Sequence, residues 1–431
     1  MASQTFQVSI FNLVTSLAGI VDIMCPAVGK HHLQVAYLAG HIARELGLPA
    51  DEQYELTIAG ALHDIGAFSL RDRLDLLEFE DDKPGEHSLA GYLLLRDFKP
   101  FEFIANIVKC HHIPWNQGAG RKQGDETVPL AGHIIHLADR MSVIISRDRA
   151  VLGQVPGIMK VIAKQRNSMF VSEHVTAALK LAPKDYIWLE VVSDALESIL
   201  KSSTAEKIIE FDVADMLEFS WLICRLIDFK SEFTATHSSG VAATAVALAE
   251  KIGFSAHECR LIEIAAYLHD MGKLAIPSEI LEKREKLDED EWSIMRSHVY
   301  HTHRVLQSMD VFGAINFWSS LHQERLNGTG YPFGYRGQEL PLGSRIMAVA
   351  DVFTALTEDR PYRKGMPGEE ARNILLSMAR NEELDERLVN LLISNFDGMN
   401  ALRIEAQNKA DQEYKRFRSL LNQPADGFSA R

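Results

Sequence analysis

One series of side chains recurs in both halves of the chain, in the same order, and it constrains the fold more than any local propensity does. In the first half it runs His31, the dyad His63 and Asp64, His87, His111 and Asp139; in the second it runs His237, the dyad His269 and Asp270, His298, His322 and Asp351. The first His precedes the dyad by 32 residues in both halves, and the third His precedes the fourth by 24 in both. The remaining steps are 24 against 29 from dyad to next His, and 28 against 29 from last His to Asp. Flanking residues agree as well: HHLQVAYLA with HSSGVAATA, ALHDIG with YLHDMG, IIHLADRMSVIISRDR with IMAVADVFTALTEDR. An isolated His-Asp pair carries little weight. Six positions matched in order, twice, describe a duplicated unit.

The residues around the series are patterned for helix. Val35 to Leu46 and Val241 to Ile252 carry apolar side chains at three- and four-residue intervals, and each run stops at a glycine suited to a C-cap, Gly47 or Gly253. Thr57 to His63 and Leu261 to His269 are further apolar helical runs that deliver each dyad from a helix end into a cleft. Strand-like alternation is scarce, so the expected fold class is all-α, with two tandem helical domains. A chain of 431 residues is long for one core. The expected division is 1–183, a helical linker over 184–218, and 219–431. Lys184 to Lys230 reads as one or two long helices broken at Ser202, Ser203 and Thr204, either a connector or a helix for homodimerisation or signalling. Val8 to Val28 is the most apolar stretch near the N-terminus, but Asn12 and Asp22 interrupt it and no basic region precedes it, so it reads as a buried helix.

Composition narrows the class of partner. With 46% hydrophobic and 24% charged residues the chain is of globular type. Cys25, Cys110, Cys224 and Cys259 are scattered without a CxxC pair, which indicates neither a disulfide framework nor a zinc ribbon and fits a reducing cytoplasm. A formal charge of -14 repels polyanions and argues against DNA or RNA as a partner. An anionic substrate therefore needs local positive charge, which bound divalent cations and a few Lys or Arg side chains can supply.

Four imidazoles and two carboxylates are a ligand set for iron, manganese or zinc, whereas calcium and magnesium favour all-oxygen sites. Adjacent residues at a helix end point in different directions, so His269 and Asp270 serve neighbouring ions only if the Asp carboxylate bridges them. That is the arrangement of a two-metal centre, with ions about 3.5 to 4 Å apart, which activates water and clamps phosphate oxygens. Phosphodiester hydrolysis is the reaction it suits. Any one of these His residues, taken alone, is more often a hydrogen-bonded structural residue than a ligand.

Over Phe219 to Phe396 the second half resembles the HD-GYP family, a branch of the HD-domain metal phosphohydrolases. The resemblance rests on FTATHSSGVA, YLHDMGKLAIPSEILEKREKLDEDEW, SHVYHTHRVL and LHQERLNGTGYPFGYRGQELPLGSRIMAVADVFTALTEDRPYRKGM. It implies a helical domain that binds iron or manganese and hydrolyses cyclic di-GMP, cyclic GMP-AMP or a related cyclic dinucleotide to a linear one. It implies His237, His269, Asp270, His298, His322 and Asp351 as ligands of two divalent ions, with Asp270 bridging. Lys273 would face a phosphate oxygen and stabilise developing charge; its bland alternative is a solvated lysine. Arg360 and Arg363 would bind phosphate, or else form surface ion pairs. Tyr331, in a glycine-rich loop from Arg325 to Gly343 with Gly328, Gly330 and Pro332, would pack on a substrate base or brace the loop.

Two departures accompany the resemblance. Gln323 stands where the family often has a second His, and Phe233 stands where members with a third metal place a carboxylate; both point to a two-metal core without a third ion. The first half resembles an HD domain without the distinguishing parts. Ala67 stands where Lys273 does, and no Gly-Tyr-Pro follows His111 and His112. Because His31, His63, Asp64, His87, His111 and Asp139 are all retained, the first domain is expected to hold metal without cleaving cyclic dinucleotides, and to regulate, dimerise or bind a nucleotide. The rival functions are an HD-type phosphomonoesterase such as a 5'-nucleotidase, and a non-catalytic cyclic dinucleotide receptor.

Overall fold

The structure is a computed structural model that describes residues 5–23, 29–67, 85–146, 148–230, 236–359 and 364–421. Cys25, Phe233, Arg360 and Arg363, each given a part above, lie outside the described residues. The fold is all-α, as expected. The only strands among the described residues are two short pairs, Phe6–Ser9 with Ile208–Phe211 and Lys122–Gln123 with Glu126–Thr127. The chain divides into two compact units, Ser9–Ile209 and Glu210–Arg418, with the residues up to Val8 going with the second.

Each unit is built on the same helices. In the first, His31–Glu45 packs against Ala50–Leu62 and Leu130–Ile144, with Gly85–Leu95 and Glu102–Cys110 packed together beside them. In the second, His237–Lys251 packs against Ala256–Leu268 and Leu342–Thr357, with Glu289–Gln307 and Gly313–Ser320 packed together. The leading helices agree at 15 residues and the next at 13. Buried alanines and β-branched residues, Val35, Ala36, Ala39 and Ala43 against Val241, Ala242, Ala245 and Ala249, let the central helix of each unit approach its neighbours closely.

The helix ends follow local chemistry. Gly47 and Gly253 adopt φ of 73° and 92°. Leu48 N–H then reaches Ala43 O at 3.1 Å and Phe254 N–H reaches Ala249 O at 3.0 Å, closing the bond pattern that terminates a helix at a left-handed residue. Ser255 with Glu258, and Asp288 with Glu291, form reciprocal capping boxes that start Ala256–Leu268 and Glu289–Gln307.

Two expectations about the connections change. The helix expected from Val8 begins at Ile10, because Phe6–Ser9 pairs as a strand with Ile208–Phe211, a partner some two hundred residues away that no local pattern reveals. The expected linker over 184–218 is not a separate element. Asp185–Val191 and Leu196–Ser203 bury Ile187, Trp188, Val191, Leu196 and Leu200 in the first unit, and Val213–Lys230 packs on Ala256–Leu268 in the second. Short amphipathic helices have an apolar face to bury, and here each face is taken up by a core. No helix among the described residues is long and apolar enough to cross a membrane.

Candidate metal centre

In the second unit the six series residues converge from three helix ends, which carry His237, the dyad and His322, and from two helix interiors, which carry His298 and Asp351. His269 caps Ala256–Leu268, and Asp270 follows it into a short 3-10 turn, Met271–Ala275. Gly272 makes the next step possible: a Cβ there would lie 1.8 Å from the carbonyl oxygen of His298, so only glycine lets the helix carrying His298 press against the dyad. Thr302, one turn along that helix, accepts from Gly272 N–H at 2.9 Å and donates to His269 O at 3.1 Å. His298 Nε2 then lies 3.4 Å from Asp270 Oδ1, and His269 Nε2 lies 3.2 Å from Asp270 Oδ2. His237 Nε2 lies 3.1 Å from Asp351 Oδ1. Donor atoms of His237, His269 and Asp351 lie within 4.8 Å of one another, as do those of His269, Asp270 and His322.

The orientation of the imidazoles tests whether a cation fits. His269, His298 and His322 each donate Nδ1–H to the carbonyl three residues back, Ala266, Met295 and Ser319, at 2.6, 2.7 and 2.6 Å. A carbonyl can only accept, so the lone pair of each neutral ring sits on Nε2. All three Nε2 atoms are buried without a hydrogen-bond partner. Buried polar atoms are rarely left so, and three lone pairs directed at two carboxylates are a donor set for a divalent metal.

Burial and neighbouring charge set the protonation. Burial opposes charge on Asp270, yet His269 and Lys273 hold its carboxyl well below the usual range. Asp351 is likewise held low by His237 against the effect of burial. Burial pushes His298 down to about 4 and His322 down to about 3, so both are neutral near pH 7. His237 differs. Burial lowers it, but Glu358 and Asp351 outweigh that and raise it to about 10. Its Nδ1–H donates to Glu358 Oε2 at 3.0 Å, and Gln407 donates to the same carboxylate at 3.1 Å.

Around this cluster stand Lys273 and the Gly-Tyr-Pro loop, which the sequence marks as candidates for substrate binding. Lys273 Nζ lies 2.6 Å from Asp270 Oδ2 and remains partly exposed. Its backbone is held from behind: the buried Lys230 ammonium donates to the carbonyls of Lys273, Leu274 and Ile276 at 3.3, 2.9 and 2.5 Å. Buried Glu324 accepts from Phe333 and Gly334 N–H at 2.7 and 3.1 Å and so pins the Gly-Tyr-Pro loop, while a Cβ at Gly330 would lie 2.3 Å from Arg325 N. Tyr331 lies under the Arg296 guanidinium at 4.7 Å. Gln323 Nε2 donates to Asp351 Oδ2 at 3.1 Å and serves as a support for that carboxylate.

The first unit brings its own six residues together. His31 Nε2 lies 3.3 Å from Asp139 Oδ1, and His63 Nε2 lies 3.0 Å from Asp64 Oδ2. His87 and His111 Nε2 each lie 3.4 Å from Asp64 Oδ1. Gly66 repeats the device of Gly272, since a Cβ there would sit 2.2 Å from His87 O. No lysine follows the dyad. Arg140 instead forks onto Asp139 Oδ2 through Nη2 and Nε at 2.8 and 3.1 Å.

The sequence reading passed over Glu358, Lys230, Glu324, Arg140 and the fourth-His neighbour His112. Glu358 had at most a weak signal, since it follows Asp351 by seven residues but stands just past the end of the helix Leu342–Thr357, with extended backbone. Lys230 had none, because its three acceptors lie more than forty residues away.

Such a fold and centre define a tandem HD-domain protein, and residues 28–144 and 222–388 each match the family described as HD domain. The chain is 30% identical over 375 residues to 3'3'-cGAMP-specific phosphodiesterase 1 of Vibrio cholerae, spanning 85% of this chain and 87% of that protein. It is 39% identical over 173 residues to the cyclic di-GMP phosphodiesterase response regulator RpfG of Xanthomonas campestris, spanning 40% of this chain and 46% of that one. A solved structure of a cyclic GMP-AMP-specific phosphodiesterase of V. cholerae shares the fold, with a TM-score of 0.61 and 21% identity over 94% of this chain and 98% of that one. The chain belongs to the HD-GYP family of HD-domain phosphodiesterases.

Proposed function

We propose that the second unit is a cytoplasmic metal-dependent phosphodiesterase of bacterial second-messenger signalling that opens a cyclic dinucleotide, cyclic di-GMP or 3',3'-cyclic GMP-AMP, to the linear form. The observation that carries this reading is the three buried, unpartnered Nε2 atoms of His269, His298 and His322 around Asp270, with the Lys273 ammonium at the same carboxylate. His237, His269, Asp270, His298, His322 and Asp351 would hold two divalent ions, iron or manganese. Bound there, the ions would supply an activated water and neutralise the phosphate.

The chain's own groups do the rest. Asp270, kept ionised by His269 and Lys273, offers one oxygen to each side of the centre. Lys273 is partly exposed and close enough to meet a phosphate oxygen and stabilise the charge that grows on it. The loop from Arg325 to Gly343, pinned by Glu324, would wall the site, and the family resemblance offers Arg360 and Arg363, which lie outside the described residues, as phosphate ligands. The reading is supported by relatives named for cyclic dinucleotide hydrolysis that align with most of the chain or with its second half.

The test is product identification with metal analysis for the metal-loaded wild type, Asp270→Ala and Asp64→Ala. Asp270→Ala is expected to lose turnover and metal from the second unit, while Asp64→Ala retains turnover. With linear nucleotides assayed beside cyclic ones, inorganic phosphate released from the linear nucleotide while the cyclic dinucleotide stays intact would instead identify a phosphomonoesterase. Binding without turnover in ferrous or manganous ion would identify a receptor, and equal loss of turnover in both variants would overturn the division between the units.

A further inference from the structure

A cyclic dinucleotide carries each base one ribose away from a phosphate, so a subsite for a base must stand beside the phosphate site and not over it. Three side chains of the second unit, none of them a candidate metal ligand, stand in such a place. Arg296 precedes His298 by two residues on the helix Glu289–Gln307, and Trp292 lies one turn before Arg296 on the same face. Tyr331 meets both. Its ring lies 4.7 Å from the Arg296 guanidinium and, nearly perpendicular at 82°, 6.3 Å from the Trp292 ring. Its backbone N–H donates to Gln323 O at 3.3 Å, and Gln323 follows His322 and donates to Asp351. Burial, and then the charge of Asp351 with that of Asp270 behind it, pushes the Tyr331 phenol up to about 12, so the ring stands within electrostatic reach of both carboxylates of the centre.

The packing of the unit accounts for neither Trp292 nor Arg296. The indole is 47% exposed, which forgoes much of the burial that a core position gives an aromatic ring. Arg296 is exposed, and its neighbours one turn away, Trp292, Ser293, Val299 and Tyr300, carry no carboxylate. Among the described residues no carboxylate pairs with it. Its contact with Tyr331 is with a ring and not with an acceptor oxygen, so its N–H groups remain for a ligand.

The chemistry of the pair chooses the base. An indole face stacks on any of them. A guanidinium fork matches the adjacent acceptors N7 and O6 of guanine, whereas adenine puts an amino donor where guanine has O6.

We propose that Trp292 and Arg296 form a guanine subsite at the edge of the second unit's centre: Trp292 stacks on the base and Arg296, held against Tyr331, donates to its N7 and O6, so that rings containing guanine are preferred to cyclic di-AMP. The inference rests on the phosphodiesterase reading above and adds to it the groups that read the base.

The test compares the metal-loaded full chain with Arg296→Met, Trp292→Ala and Trp292→Phe on cyclic di-GMP, cyclic di-AMP and the base-free diester bis(p-nitrophenyl) phosphate. Both positions are exposed, so the substitutions leave the core intact. Wild type is expected to favour cyclic di-GMP over cyclic di-AMP in kcat/KM by at least about 10-fold, and Arg296→Met to bring that ratio close to unity. Trp292→Ala is expected to raise KM for cyclic di-GMP by about 10-fold or more, with kcat/KM for cyclic di-GMP falling relative to that for the base-free diester, and Trp292→Phe to recover most of the loss. The proposal is overturned if the guanine-to-adenine ratio survives in Arg296→Met, if Trp292→Ala leaves KM where it was, or if the cyclic and base-free substrates lose equally. Failure of the phosphodiesterase reading has a different signature, a wild type that hydrolyses no cyclic dinucleotide. Calorimetric titration with cyclic di-GMP then decides the subsite: binding that weakens in both Arg296→Met and Trp292→Ala supports it, and no binding, or binding equal in all variants, overturns it.

Discussion

Glu358 shows how much a single carboxylate behind a candidate ligand can decide. It holds the Nδ1 side of His237 while Asp351 meets the Nε2 side, and the two outweigh burial and keep the ring protonated until about pH 10. A cation that binds His237 Nε2 must displace a proton there. Loading the apo-protein near pH 7.5 is therefore expected to release at least one proton, and affinity should rise with pH until it levels near 10. Calorimetric heats that do not vary with the ionisation enthalpy of the buffer would contradict this. Glu358→Gln leaves an acceptor for the ring but removes the charge. By the usual weight of such outer partners, metal affinity or turnover should fall about 10- to 100-fold, measurable by metal titration.

At the scale of the element, the short turn Met271–Ala275 carries Asp270 at its start and Lys273 within it, yet it is too short to orient either by its own bonds. Lys230 does so from the neighbouring helix, through three backbone carbonyls. Lys230→Met leaves those buried carbonyls without that donor. It is expected to cost about 1–3 kcal/mol of stability and to lower kcat more than it raises KM, because the turn rather than the substrate surface is disturbed. Lys230→Arg should recover part of kcat. A change confined to KM would show that the lysine meets substrate and does not position the turn.

The whole molecule is a duplication in which the two copies kept the scaffold and diverged at its exits. Each unit has its own core and its own cluster, so calorimetry of the metal-loaded chain is expected to resolve two transitions. Asp64→Ala should move one and Asp270→Ala the other; a single transition that shifts as a whole in both variants would contradict independent units. The charge of -14 is unfavourable to an anionic substrate at long range, which places the burden of attraction on local groups such as Lys273 and the cations.

The repeated spacing of His and Asp, the apolar periodicity and Gly47 and Gly253 were enough to determine an all-α duplicated chain and to nominate twelve side chains, and the structure gathers those twelve into two clusters. They were legible because helix faces and caps are local, and a ligand series leaves a periodic trace. What only tertiary structure decided was contact between distant segments. It paired Phe6–Ser9 with Ile208–Phe211 and divided 184–218 between two cores. It also set Lys230 behind Lys273, Glu358 behind His237 and His112 beside His87. Such contacts depend on how helices cross, and crossing is settled by packing of the whole core, which no single window of sequence contains.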